Sequence, residues 1–148
     1  MSLDLRFKLM RMVALILGFY ALIWATAPFT SMNISARFLL DLLDWPLDSI
    51  NVPLERDTKW LSAIGAGLLA MVAILLWGIV APALKKGDRA VAQTTLLAIL
   101  VWYIIDGVGS IAVGIVSNVV FNTLYLIAMV IPLIGMPKEG LESRDKEG

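Results

Sequence analysis

Long runs of hydrophobic residues, separated by short charged connections, dominate the pattern along this chain. The first run covers residues 12–27 and follows a polar start that contains three basic residues. The second covers residues 60–83, long enough to cross roughly 30 Å of hydrocarbon at about 1.5 Å per residue. The third covers residues 90–136, which is too long for a single crossing and must be divided.

A short stretch of the third run, WYIIDGVGSI at residues 102–111, offers the place to divide it. Asp106 is the only charged residue between Arg89 and Lys138, and two glycines close behind it give the backbone freedom to reverse. We therefore predict a tight turn at residues 107–109, with Asp106 near the membrane boundary, where it accepts backbone N–H bonds. The alternative is a functional carboxylate, because ionisable groups at membrane depth are costly and are functional by default.

These divisions predict an all-α integral membrane protein, built as a bundle of four transmembrane helices. We expect one membrane domain over residues 1–148, with spans at about 10–28, 60–83, 90–106 and 110–134 and a charged tail at 137–148. The first span resembles a signal peptide, but Pro28 would follow the cleavage site directly, so we expect an uncleaved signal anchor.

The connection between the first two spans is not uniformly polar. Its apolar residues follow helical spacing: Ile34, Phe38, Leu39, Leu42, Leu43 and Trp45. Charged residues are interleaved with them, which predicts an amphipathic helix at about residues 32–45 lying in the membrane interface. Ser31 or Asn33 would cap this helix, and Pro46 lies just beyond it. The alternative is a plain connector that packs over the mouth of the bundle.

Composition supports the membrane class and narrows the chemistry. The 148 residues are 59% hydrophobic and 16% charged, whereas soluble domains are near half apolar and a quarter charged. The absence of Cys and His excludes disulfides, Cys/His zinc sites, Ser-His-Asp chemistry and haem ligation by His. We find no nucleophile with a base and no cluster of acids at depth, so we expect no enzyme, no cofactor and no metal. The net charge of zero argues against a nucleic-acid partner.

Basic residues predict the orientation of the chain. The N-terminal start, the second connection and the tail each carry three: Arg6, Lys8, Arg11, Lys85, Lys86, Arg89, Lys138, Arg144 and Lys146. The first connection also carries three, but spread over residues 28–59 among five acids. The positive-inside rule then predicts a multi-pass protein of the bacterial inner (plasma) membrane, with both the N- and C-termini cytoplasmic.

Polar residues within the last span form the second candidate site. Asn118, Asn122 and Tyr125 are offset by four and three, which puts them on one helix face. Amides in hydrocarbon need partners, and bonds to a neighbouring helix are the simplest use, at about 0.6–2 kcal/mol each. The functional alternative is a polar patch that lines a small cavity. Together with Asp106 and Trp102, these residues are our candidate contacts for a ligand or partner.

Small residues at intervals of three or four predict helix packing faces. They are Ala14, Gly18, Ala21 and Ala25 in the first span, and Ser62, Ala66, Ala70 and Ala73 in the second, with Ala63 and Gly67 beside them. Such spacing lets helix backbones approach closely inside lipid. We expect these faces to serve the internal bundle, with contact to a partner protein as the alternative. Tryptophans and tyrosines near the predicted boundaries are typical of an aromatic belt.

Three segments of the chain resemble a known group of proteins. They are DWPLD at residues 44–48, WLSAIGAG at residues 60–67, and DGVGS at residues 106–110 followed by Asn118 and Asn122. This pattern, over about residues 40–133, resembles small four-span bacterial inner-membrane proteins of unknown function. The resemblance implies a fold and no activity.

Three functions are compatible with the sequence. The first is a non-catalytic accessory or structural subunit, whose partners are the lipid bilayer and other membrane subunits or copies of itself. The second is a small oligomeric transporter or channel that uses Asp106 and the face of Asn118 and Asn122. The third is a module that binds lipid or another hydrophobic ligand, with the interfacial helix as its lid.

Overall fold

The computed structural model describes residues 1–136, which fold entirely into helices, turns and loops, with no strand in that range. The helices are α1 (Leu3–Trp24), α2 (Ile34–Leu43), α3 (Arg56–Leu75), α4 (Ala81–Lys85), α5 (Arg89–Ala112) and α6 (Val116–Val130). A π-helical turn, Leu76–Val80, joins α3 to α4, so that Arg56–Lys85 is one continuous rod. The predicted all-α class is confirmed, and the predicted tail at 137–148 lies outside the described residues.

Polar caps fix where two of the long helices begin. The Ser2 hydroxyl accepts the backbone N–H of Leu5 at 3.3 Å, and α1 starts at Leu3 rather than at the predicted residue 10. The Asp88 carboxylate accepts the N–H of Val91 at 3.0 Å at the start of α5. Both contacts satisfy amide groups that the first turn of a helix leaves without an intrahelical acceptor.

Three helices, α1, the rod Arg56–Lys85 and α5, are long and apolar enough to cross a membrane. Helix α6 is also apolar, but it has 15 residues and is shorter than a typical span. Many large apolar side chains point away from the protein, including Phe19, Leu22, Ile74 and Ile105, each about two-thirds exposed or more. A surface of this kind is typical of a chain solvated by lipid.

The four apolar helices alternate in direction along the bundle. Lys85 lies over the ring of Phe7, which brings the end of the rod to the start of α1. The Ser117 hydroxyl donates to the carbonyl of Leu43, which brings the start of α6 to the end of α2. The start of α1, the start of α5 and the end of α6 therefore share one end of the bundle. We call it the basic end, because residues 1–11 and 85–89 carry six Lys or Arg and two Asp.

The opposite end contains α2 and the loops on both sides of it. Its residues 28–59 carry five acids and three basic residues, so we call it the acidic end. Helix α2 lies within the predicted range 32–45, but neither Ser31 nor Asn33 caps it through a side-chain bond. The Asn33 side chain is buried and donates instead to the carbonyl of Ala27 at 3.0 Å. This bond ties the start of α2 to the turn that follows α1.

Small residues allow α1 and the rod to pack closely, as the sequence pattern indicated. Ala14 and Ala21 of α1 are buried, and so are Ser62, Ala66 and Ala73 of the rod. Gly65 of the rod lies against α1, and an added Cβ there would lie 2.8 Å from Cζ3 of the Trp24 indole and 3.0 Å from Cζ2. Real Cβ atoms do not sit this near to a ring. The indole of Trp24 therefore occupies the space that a side chain at position 65 would need.

Arg6 joins the first helix to the end of the last one. Its side chain is 3% exposed, and Nη1 donates to the carbonyls of Pro132 at 2.9 Å and Ile134 at 2.5 Å. Nη2 donates to the carbonyl of Gly135 at 2.7 Å. These carbonyls follow α6 and have no helical partner of their own, so a charged donor satisfies them well.

The prediction of a turn at residues 107–109 is wrong. Helix α5 continues through both glycines to Ala112, and the chain reverses at residues 113–115, where Gly114 has a φ of 85°. Glycine weakens a helix by about 1 kcal/mol in water. In an apolar environment each unpaired backbone group costs several kcal/mol, so the helical hydrogen bonds dominate. The last apolar helix consequently starts at Val116 rather than at the predicted residue 110.

Candidate functional site

Asp106 is the centre of a polar cluster between α5 and α6. Its Oδ2 atom accepts the side-chain amide of Asn118 at 3.1 Å and that of Asn122 in a short contact. The same Asn118 amide also donates to the hydroxyl of Ser110 at 2.8 Å. Two amides thus donate to a single carboxylate, and one of them also donates to a hydroxyl; we call these four residues the Asp106 cluster.

Helical spacing on both sides of the reversal builds the cluster. Asp106 and Ser110 are four residues apart in α5, and Asn118 and Asn122 are four apart in α6, so each pair occupies one face of its helix. The turn at residues 113–115 folds these two faces together. Asn122 is 8% exposed, and the other three members are partly buried.

The carboxylate lies inside the apolar part of α5 and not at its end. Asp106 is six positions before Ala112, which places it about 9 Å along the helix from the last turn. It is seventeen positions after Arg89, about 25 Å from the basic end. The structure therefore places Asp106 within helix α5 and not at the tip of a turn, and the functional interpretation of this carboxylate stays a prediction.

No cation of residues 1–136 lies within ion-pair distance of Asp106. In that part of the chain the ion pair is between Lys8 and Asp4, at 2.6 Å and at the basic end. Asp106 Oδ1 has no donor there, since both amide bonds go to Oδ2. Amide donors favour the charged form of a carboxyl group, but they do not neutralise it. A proton, an ion or a partner's cation would complete this site.

Of the other candidate residues, Tyr125 borders the Asp106 cluster and Trp102 does not. Tyr125 lies one turn after Asn122 and packs edge-on against the ring of Tyr20, with ring centres 6.0 Å apart. Tyr20 in turn packs against Trp24 at 6.1 Å, so an aromatic group from α1 covers this side of α6. Trp102 precedes Asp106 by one turn but is 39% exposed and has no hydrogen bond within residues 1–136. The structure does not bring it into the cluster.

Sequence reasoning missed two members of this region. Ser110 was placed directly after the predicted turn, although its spacing of four from Asp106 is the signal that a continuous helix would have given. Tyr103 was assigned to the aromatic belt, but its hydroxyl lies 2.8 Å from the Thr123 hydroxyl and forms a second polar contact between α5 and α6. Nothing in the spacing of Tyr103 and Thr123 alone could have paired them.

A separate contact holds α2 over the start of α6. The Ser117 hydroxyl donates to the carbonyl of Leu43 at 2.6 Å and accepts the N–H of Trp45 at 3.1 Å. Ser117 thus bonds to the end of α2 and not to its own helix, whereas the Thr123 hydroxyl donates to the carbonyl of Val119 within α6. Because Ser117 is adjacent to Asn118, this contact places the end of α2 next to the Asp106 cluster.

Two cavities on the surface lie away from α2. One, of about 470 Å³, is lined by Pro28, Arg56, Lys59, Trp60 and Ala63. A second, of about 280 Å³, is an apolar groove between α1 and α6 lined by Val13, Ile16, Phe121, Leu124, Tyr125 and Ala128. Phe38 of α2 and Trp45, two residues after its end, are exposed. These positions give no support to α2 as a lid over a hydrophobic ligand.

The arrangement defines a helical, membrane-type protein with one carboxylate site in the bundle. Within residues 1–136 no three acidic side chains gather where they could hold a metal ion, and Asp106 acts with amides and a hydroxyl instead. The chain matches no protein-family model, no curated protein and no solved structure at a significant level. Function therefore has to be argued from the geometry of the Asp106 cluster.

Proposed function

We propose that this chain is a small transporter of the bacterial inner membrane, in which Asp106 reversibly binds a proton or a small monovalent cation. The observation that carries this proposal is the carboxylate held by Asn118 and Asn122 without a cation of residues 1–136 nearby. A charged group costs about 2.5–3.5 kcal/mol at the centre of a membrane helix, which is an upper bound for Asp106, six residues before the end of α5. A mobile positive charge would offset that cost, and its exchange is the basis of coupled transport.

The proposed topology has four crossings, with α6 and the turn after it as the fourth, and both chain ends in the cytoplasm. The alternating direction of the helices and the bonds from Arg6 to residues 132–135 support it, because they bring the first and last apolar helices to one end. The basic end would then face the cytoplasm. The Asp106 cluster would lie nearer to the acidic, outward end.

We do not propose that a single copy of the chain forms the whole transport path. The cluster lies between α5 and α6, and their Tyr103–Thr123 contact closes the interface on the side of the basic end. An oligomer, or a partner subunit, would supply the other wall of the path. In this arrangement Asp106 would be reached from the acidic end, past Ser110 and Asn118.

The test is transport by the purified chain in sealed vesicles. Asp106→Asn should abolish proton or sodium flux driven by an imposed gradient, since the amide cannot exchange a proton or bind the cation. Asp44→Asn, at an exposed acid of the acidic end, is the matched control and should leave the flux unchanged. Infrared difference spectra on changing pH or sodium should contain a carboxyl signal that Asp106→Asn removes. Equal flux and an unchanged spectrum in Asp106→Asn would contradict the proposal.

The same unpaired carboxylate favours a second candidate, a non-catalytic accessory subunit. Asp106 is partly exposed, and a basic side chain on a partner helix could neutralise it permanently. Asp106→Asn should then reduce co-purification of the chain with a larger membrane complex, and Asp44→Asn should not. Migration of the native protein only as an oligomer of its own 16.2 kDa chain, without other subunits, would count against this candidate and leave the transporter proposal untouched.

A further inference from the structure

Arg11 has an unusual environment at the basic end. Its Cζ atom lies 4.4 Å from the centre of the Phe7 ring and 4.3 Å from the centre of the Trp77 ring. Two aromatic rings, from α1 and from the π-helical turn, therefore hold the guanidinium in place. Such contacts attract a cation to the ring face but leave the N–H groups at the guanidinium edge without an acceptor.

No acceptor for these N–H groups is found in residues 1–136. The Nε atom is buried and has no hydrogen-bond partner, and Arg11 makes no ion pair in this range. The two acids of the basic end are engaged elsewhere, Asp4 with Lys8 at 2.6 Å and Asp88 with the N–H of Val91 at 3.0 Å. The guanidinium is thus positioned and charged, and nothing in residues 1–136 pairs with it, so it can bind an anion.

The position of Arg11 along α1 indicates which anion fits. It is eight residues after Leu3, about 12 Å along the helix, and Trp77 is eight residues before Lys85. Arg11 directly precedes the apolar run of α1, and long basic side chains near the ends of membrane helices reach the lipid headgroups. Lys85 adds a second positive charge, with Nζ 4.9 Å from the centre of the same Phe7 ring.

We propose that Arg11, held by Phe7 and Trp77 and assisted by Lys85, binds the phosphate of an anionic phospholipid. A planar guanidinium can donate two parallel bonds to phosphate, which an ammonium cannot. The inference rests on the proposal that the chain spans a membrane, and it does not depend on any role of Asp106. It assigns to the basic end a specific lipid site, distinct from general attraction between basic residues and an anionic surface.

The experiment measures lipid retained by the full chain. The protein is reconstituted in nanodiscs of phosphatidylcholine with phosphatidylglycerol, re-extracted in mild detergent, and its bound lipids are counted by native mass spectrometry. Arg11→Gln should lower retained phosphatidylglycerol about fivefold, the effect expected for one positive charge near an anionic headgroup. Arg11→Lys should retain an intermediate amount. Asp106→Asn should retain as much as the wild type, which separates this inference from the transport proposal.

Lys8→Gln is the matched control. It removes the same charge one turn away on the same helix, but Lys8 is exposed and already paired with Asp4. Equal losses in Lys8→Gln and Arg11→Gln would overturn the proposal, because they would show unspecific attraction. If Arg11→Gln does not fold, Phe7→Leu keeps every charge and should still reduce retention. Stabilisation of the protein by inorganic phosphate in phosphatidylcholine discs, equal to that by phosphatidylglycerol, would also overturn the assignment to a lipid.

Discussion

Asn122 donates its side-chain amide to the carboxylate of Asp106, sixteen positions earlier in the chain. The two residues belong to helices that meet only because the chain reverses at residues 113–115. In an apolar environment, each of these polar side chains would lose a hydrogen-bond partner without the other. We therefore treat them as one polar unit and expect their contributions to stability to be coupled.

Replacing Asn122 with leucine should destabilise the protein by about 1–2 kcal/mol, because Asp106 keeps its desolvated carboxylate but loses a donor. Replacing both residues with leucine should cost less than the sum of the two single changes. The measurement is a double-mutant cycle of reversible unfolding in mixed micelles. Strict additivity of the two changes would mean that the contact contributes nothing to stability.

The proposed topology predicts a pattern of thiol labelling. Because the chain has no cysteine, single cysteines can be introduced without background. A cysteine at Asp48, in the acidic end, should react with a membrane-impermeant maleimide in intact cells, and one at Lys86 should react only after lysis. Labelling of both positions from outside, or of neither before lysis, would rule out the orientation.

Gly65→Ala should disrupt the packing of α1 on the rod, because the new methyl group overlaps the Trp24 indole. We expect a loss of about 1–3 kcal/mol, typical of overpacking in a tight interface. Gly67→Ala is the control, since an added Cβ there meets nothing within 4 Å, and it should leave stability equal or slightly higher. Thermal unfolding in detergent gives both values. Adding Trp24→Phe should restore part of the loss, and equal behaviour of both alanine variants would refute the contact.

Ser117→Ala should loosen α2 from the start of α6. The hydroxyl joins the carbonyl of Leu43 and the N–H of Trp45, so its loss should cost about 1 kcal/mol and make α2 more mobile. Spin labels on α2 and α6 should show a broader distance distribution in this variant. Ser35→Ala, at an exposed position of α2, should not change it. An unchanged distribution in Ser117→Ala would show that apolar contacts alone hold α2.

The helical elements could be predicted from hydropathy because lipid permits few alternatives to a helix for a long apolar run. The boundaries were harder. Gly107 and Gly109 are turn signals in water, but the chain keeps them helical and reverses at Gly114, where the positive φ requires a glycine. Single residues do not reveal which of three nearby glycines will adopt that conformation.

The candidate site could be predicted in part. Spacing placed Asn118 and Asn122 on one face of the last helix, and that face does carry both amides of the cluster. Their partner could not be deduced, because a shift of the reversal by a few residues changes Asp106 from a loop residue into a helix residue facing α6. Ser110 was missed for the same reason. The stacking of Arg11 on Trp77 depends on which helices become neighbours, and spacing along the chain does not encode that.

The bonds from Arg6 to the carbonyls of residues 132, 134 and 135 have a consequence for biogenesis. Arg6 leaves the ribosome more than a hundred codons before the residues that supply its acceptors. A chain truncated before Pro132 would therefore lack the three carbonyl groups that satisfy the buried guanidinium.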